Sequence, residues 1–122
     1  MREPDFRAWL ESDYRTPRGA PLEARSRTSL ISTVRRVEAG LGDLDEHWRR
    51  DRGREALDRL TYTRNDAEYG RTPRHGVAIT GDPTTGSASL KRAAAIYFEF
   101  CRVRPAPSGP VGPTVTDALA GS

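Results

Sequence analysis

The stretch from Arg25 to Glu38, RSRTSLISTVRRVE, combines arginines with small hydroxyl residues. At 100° per residue, Leu30, Val34 and Val37 form a narrow apolar stripe on one side of the helix that this spacing predicts. The opposite side carries no carboxylate, although a soluble helix usually alternates Glu with Lys or Arg. The six side chains of this predicted anion face are Arg25, Thr28, Ser29, Ser32, Arg35 and Arg36.

Guanidinium groups bind phosphate bidentately, and short hydroxyl side chains can donate to phosphate oxygens when a helix approaches closely. We therefore predict contact with a nucleic-acid backbone. Arg35 or Arg36 could also contact guanine if the helix entered a major groove. The alternative is a solvated face whose arginines pair with acids in residues 43–60. Lys91 and Arg92, on the last predicted helix, form a second and weaker basic site.

Residue types that carry catalysis are sparse. The chain has two histidines, His47 and His75, and one cysteine, too few for an ordinary structural zinc site. His47 could hold a divalent metal with acids from the set Asp43, Asp45 and Asp51, but capping and surface roles suit those acids better. TGDPTTG lacks the lysine and spacing of a phosphate-binding loop. We expect no catalysis, no metal and no cofactor.

Length and composition limit the domain count and the partners that these sites could bind. The chain has 122 residues, a net charge of +3 and 30% charged residues, and its length suits one domain. Nineteen of the 20 basic residues are arginine, so arginine content alone is poor support for an anionic partner. Cys101, in an apolar run, is expected to be a buried thiol. Because no apolar run of about 18 residues exists, we expect no membrane span and a cytoplasmic protein.

The apolar periods predict helices. Phe6, Trp9 and Leu10 share one face of a short first helix with Asp5 as its N-cap, and a second helix runs over residues 22–40. Asp43 or Asp45 caps a third. Residues 53–63 form a separate helix or a continuation that bends at Gly53, and a polar loop covers residues 63–76.

VAIT at residues 77–80 is β-like but too short to found a sheet. Ser87 or Ser89 is expected to cap the last helix, which carries Leu90, Ala94 and Tyr97 at helical spacing. The sequence thus predicts an all-α bundle of four to five helices, with a long loop before the last one. Residues 1–104 form the predicted domain, and the Pro/Gly-rich residues 105–122 form a disordered tail or linker.

Taken in order, the phrases FRAWL, SRTSLISTVRRVE, LDEHW, ALDRLTYT and SLKRAAAIYFEFCR resemble the N-terminal core-binding (SAM-like) domain of tyrosine recombinases and phage integrases. The resemblance covers residues 5–104. SRTSLISTVRRVE and DLDEHW are also similar to an N-terminal module of bacterial restriction-type proteins. The arginines, histidine and nucleophilic tyrosine of the recombinase catalytic domain have no counterpart here. The resemblance implies double-stranded DNA as partner, with contacts from the anion face, Lys91 and Arg92.

Three functions follow as hypotheses. The first is a non-catalytic helical module that contacts the duplex backbone within a recombination or restriction and defence system. Its tail is either a linker to an effector domain or the natural end of a small phage or mobile-element protein. The second is a protein-interaction module, such as a small phage-encoded inhibitor or a defence-complex subunit. The third, ranked far lower, is a nuclease with a metal site at His47, Asp43 and Asp45. The oligomeric state and any DNA sequence preference do not follow from the sequence.

Overall fold

The computed structural model describes residues 1–79 and 81–104, and the predicted tail at 105–122 lies outside this range. Its elements are α1 (Glu3–Ser12), α2 (Ala24–Leu41), α3 (Leu44–Asp51), α4 (Arg54–Leu60), α5 (Arg64–Glu68) and α6 (Pro83–Val103). No strand occurs among the described residues, which confirms the all-α prediction. The short α5 lies inside the predicted polar loop. None of these helices is long and apolar enough to cross a membrane.

The core forms around α6, against which the other five helices pack. The predicted face of α1 is confirmed, since Phe6, Trp9 and Leu10 are all buried. The Phe6 ring meets the Tyr97 ring edge-on at a centroid distance of 4.9 Å and lies 5.4 Å from the Phe100 ring. This aromatic cluster fixes α1 across α6, since edge-to-face pairs add to the stabilisation from buried apolar area.

The apolar stripe of α2 lies against α6 with a small rotation. Val34, Val37 and Leu41 are buried as the helical period predicts, and Ile31 is fully buried too. Leu30, placed at the centre of the predicted stripe, is only half-buried. The buried face is therefore turned toward Ile31, which leaves Leu30 at the edge of the helix contact.

Some of the predicted helix starts were wrong. α1 begins after Arg2, and Asp5 lies in its first turn. The N-cap of α6 is Asp82, whose carboxylate accepts hydrogen bonds from the backbone N–H groups of Thr84 and Thr85. An aspartate followed by proline at the first helical position is a strong start, so α6 begins before Ser87 and Ser89. The predicted Asp43 cap of α3 is confirmed, since its side chain accepts from the Asp45 N–H.

Two left-handed residues separate α3 from α4. Arg52 has φ of 62° and Gly53 has φ of 77°, so residues 54–60 form a new helix and do not continue α3. Between α4 and α6 the chain turns through α5, whose capping box joins Thr63 and Asp66. Residues 77–79 form no strand, and Thr80 lies outside the described residues.

Candidate nucleic-acid interface

The predicted anion face of α2 lies on the surface. All six of its side chains are exposed, so the face is accessible along its whole length. The helix positions them because Val34, Val37 and Ile31 hold the opposite side in the core. Arg27, which the helical period sets outside this face, instead reaches the carbonyl of Leu22 and the carboxylate of Glu11.

Two arginines of the face are already engaged. The Arg35 guanidinium donates from Nε to Glu3 Oε1 at 2.9 Å, and this contact lowers the pKa of Glu3. The acidic partner of Arg35 therefore comes from α1 rather than from residues 43–60. Arg36 Nη2 donates to the backbone carbonyl of Ala78 at 2.8 Å. At the C-terminal half of the anion face, the carboxylate that this face lacks is thus supplied by Glu3 of α1.

The N-terminal half of the face is different. The side chains of Arg25, Thr28 and Ser32 make no hydrogen bond and no ion pair within residues 1–79 and 81–104. Ser29 is also exposed, and only its backbone carbonyl is used, by the Thr33 hydroxyl at 2.9 Å. This half therefore keeps its donors available for an external anion.

A groove of about 330 Å³ runs between α2 and α6 beside that free half. None of its ten described lining residues is acidic, and four of them carry a hydroxyl on an aliphatic side chain. Arg92 is the cation among them, and its guanidinium makes no ion pair in the part of the chain that the structure describes. The lining residues are Tyr14, Leu22, Ser26, Ser29, Leu30, Thr33, Ser89, Arg92, Ala93 and Ile96.

The groove joins two of the predicted sites. Ser29 from the anion face and Arg92 from the second basic site line the same concavity, whereas the neighbouring Lys91 is half-buried and does not line it. Arg25 lies one turn before Ser29 on α2. Ser29 and Arg92 therefore belong to one surface, which Arg25 and Ser32 extend on α2. We call it the α2–α6 groove surface: Arg25, Ser29, Ser32 and Arg92 together with the groove lining.

Sequence reasoning missed three hydroxyl residues of the groove: Ser26, Thr33 and Ser89. Their spacing offered a clue. Ser26, Ser29 and Thr33 recur at i, i+3 and i+7, which sets small side chains along one line of α2. Residues 89, 92, 93 and 96 recur at similar spacing on α6, and Ser89 and Ala93 among them are small. Small side chains leave space where two helices face each other, but the sequence does not say that α2 and α6 do so.

The acids near His47 have structural roles. His47 is buried, and its Nε2 lies 2.8 Å from the carbonyl oxygen of Leu41, to which it donates. Asp43 caps α3, and Asp45 accepts from the Tyr97 hydroxyl at 2.9 Å. Among the described residues no cluster of three or more His, Cys, Asp or Glu could hold a metal ion.

His75 contacts Ser87, but in the wrong sense for catalysis. Its Nδ1 accepts from the Val77 N–H at 3.0 Å, so Nε2 carries the proton and donates to Ser87 Oγ at 2.9 Å. Burial, with a smaller effect from Arg59, lowers the pKa of the imidazole and keeps it neutral. A general base would need a free lone pair toward the hydroxyl. Ser87 is also fully buried, so the pair has no access to substrate.

Cys101 is buried as predicted. Burial, followed by the charge of Asp45, raises the pKa of its thiol to about 12. The thiolate is the reactive form of cysteine, so this side chain is inert at neutral pH.

Comparisons of the chain with protein-family models, with curated proteins and with solved structures give no match.

Proposed function

We propose that the chain is a non-catalytic helical module that binds duplex DNA through the α2–α6 groove surface. One observation carries this proposal: the groove joins Ser29, in the unpaired half of the anion face, to Arg92, with no acidic residue among the described lining. Arginine and hydroxyl donors that face outward without an internal partner match the phosphate backbone in both charge and geometry.

The sequence resemblance to recombinase core-binding domains and to the restriction-type module favours duplex DNA as the partner. It also favours a role in a recombination or restriction and defence system, where the module would meet DNA in the cytoplasm. The binding surface is narrower than the one that the sequence predicted. Among the described residues, Arg25 and Arg92 have no partner for their guanidinium groups, whereas Arg35 and Arg36 would first have to leave Glu3 and the Ala78 carbonyl.

Duplex affinity measured by fluorescence anisotropy over a salt series tests the proposal. The variant Arg25→Ala/Arg92→Ala should bind a labelled duplex more weakly at every salt concentration. The slope of log affinity against log salt should fall by roughly 0.9 for each phosphate contact that is lost.

The matched control is Arg49→Ala/Arg50→Ala, which removes the same charge from α3. Both of these arginines are exposed and pair with Glu46 and Glu55. The control should keep most of the wild-type affinity and slope. Equal losses in the two double variants would mean that net charge alone attracts DNA, and unchanged affinity in Arg25→Ala/Arg92→Ala would remove the groove surface from the interface.

A protein-interaction module is the second candidate, and the apolar part of the groove favours it. Leu30 and Ile96 line the groove beside Arg92, a combination that an acidic, partly apolar peptide would also fit. This candidate predicts no duplex binding even at about 50 mM salt. It also predicts a stoichiometric protein partner that the Arg25→Ala/Arg92→Ala variant no longer retains. The nuclease hypothesis has no structural support, because the acids near His47 cap a helix or bind Tyr97.

A further inference from the structure

The α2–α6 groove combines polar and apolar side chains. Leu30 on α2 and Ile96 on α6 line it beside Arg92 and the serines, and Tyr14 also belongs to the lining. Phosphate contacts need charged and polar donors at a surface, and they gain nothing from an apolar concavity. A ligand that uses the whole groove must therefore present an anionic group and an apolar face together.

In nucleic acid only the bases offer such a face. Within a continuous duplex they are stacked and paired, so a groove between two helices cannot reach their flat sides. An unpaired nucleotide presents its base next to its own phosphate. The groove volume of about 330 Å³ lies at the small end of the range for ligand pockets, which suits one nucleotide rather than a longer strand.

Resting on the proposed DNA-binding function, we propose that the α2–α6 groove holds a single unpaired nucleotide of the bound DNA. Arg92 binds its phosphate, since it is the cation of the groove and makes no ion pair within the described chain. The hydroxyls of Ser26 and Ser89 lie on opposite helices and bind phosphate or sugar oxygens. The base lies on Leu30 and Ile96. The module accordingly prefers a duplex with a bulge to a continuous one.

Anisotropy with two probes tests this inference: one continuous duplex and the same duplex with one extra unpaired nucleotide. The groove is filled by Ser26→Leu/Ser89→Leu, which removes no cation, and both serines are exposed, so no core packing is lost. Leucine is chosen because an introduced aromatic ring could itself stack on a base. The control Ala88→Leu/Ala95→Leu adds the same side chains to exposed positions of α6 that do not line the groove.

Wild type and control should bind the bulged duplex roughly tenfold more tightly than the continuous duplex, because stacking of one base contributes about that much affinity. Ser26→Leu/Ser89→Leu should lose this preference and bind the bulged and the continuous duplex equally tightly, whatever its affinity for the continuous duplex is. Circular dichroism checks that each variant is folded, and the single variants Ser26→Leu and Ser89→Leu repeat the test if the double variant is not.

The possible failures are distinct. Equal wild-type affinity for the two duplexes overturns this inference and leaves duplex binding in place. A preference that survives in the filled variants also overturns it, because the bulge is then recognised elsewhere. Absence of binding to either duplex at low salt overturns the proposed function, and this inference with it.

Discussion

At the scale of single residues, His75 fastens the segment before α6 to the bundle. Its side chain lies in a loop but is only 1% exposed. One ring nitrogen accepts from the Val77 N–H, and the other donates to the buried Ser87 hydroxyl on α6. The contact at Nδ1 needs the neutral ring, because protonation would set Nδ1–H against the Val77 N–H, whereas Nε2–H can donate to Ser87 in either state. The loop contact therefore depends on pH.

We predict that His75 makes the protein less stable in mild acid. Its pKa is lowered in the folded state, so the unfolded chain takes up a proton first as the pH falls. The contribution of the neutral ring is fully present above the unfolded pKa of about 6.5 and is lost below it. Urea unfolding should show a smaller free energy of unfolding at pH 5.5 than at pH 8, with a loss from this residue of at most about 1.4 kcal/mol.

The control for this prediction is His75→Gln, which cannot titrate. Its free energy of unfolding should change less than that of the wild type between the two pH values, whatever its absolute stability. The same change in both proteins would show that other groups cause the pH dependence.

At the scale of elements, the joint between α3 and α4 packs closely against α6. Gly53 is buried with φ of 77°, and a Cβ atom there would overlap the ring of Phe98 on α6. Trp48 of α3 also stacks on the Phe98 ring, with the two ring centroids 6.0 Å apart. The glycine therefore serves both the turn of the chain and the close approach of α4 to α6.

We predict that Gly53→Ala costs clearly more stability than an alanine at an open left-handed glycine. Gly70, with φ of 68° and nothing near its missing Cβ, is the matched control. Gly70→Ala should cost roughly 1 kcal/mol, the penalty for a left-handed side chain. Gly53→Ala should add the cost of overpacking, about 1–3 kcal/mol more. Thermal or urea unfolding measures the stability of both variants. Equal losses would mean that Phe98 moves aside without an energetic cost, which would contradict this prediction.

At the scale of the whole molecule, a buried polar network ties distant parts of the chain together. Asp45 on α3 accepts from the Tyr97 hydroxyl at 2.9 Å and from Arg2 Nε at 3.2 Å. The Arg2 backbone N–H donates to the same tyrosine, and its guanidinium also reaches the Arg104 carbonyl. The network thus joins the start of α1 to α3 and to both the middle and the end of α6.

We predict that Asp45→Ala destabilises the fold by roughly 3–5 kcal/mol, because it leaves Arg2 as a part-buried charge and Tyr97 as a buried donor without its acceptor. Tyr97→Phe should cost less, about 1–3 kcal/mol, since the ion pair with Arg2 remains. Glu46→Ala, which removes an exposed partner of Arg49, should cost below about 1 kcal/mol. Urea unfolding at pH 7 ranks the three, and a loss in Asp45→Ala no larger than that in Glu46→Ala would contradict this role.

Local sequence was sufficient for much of the fold. The spacing of Phe6, Trp9 and Leu10 predicts a buried helix face, because helical geometry alone sets those side chains on one side. The same holds for Val34 and Val37 on α2. The start of α6 shows the limit of such patterns, since serine and aspartate both cap helices and only the backbone identifies Asp82.

The candidate site was also predictable only in part from the sequence. The sequence by itself determined that the chain is all-α and that α2 carries an exposed face without its own carboxylate, because both follow from helical period and residue type. Only the tertiary structure decided which arginines of that face are free. Arg35 meets Glu3 across 32 residues and Arg36 meets the Ala78 carbonyl across 42. Local periodicity says nothing about which helices face each other, so it could predict neither these partners nor the groove beside Arg92.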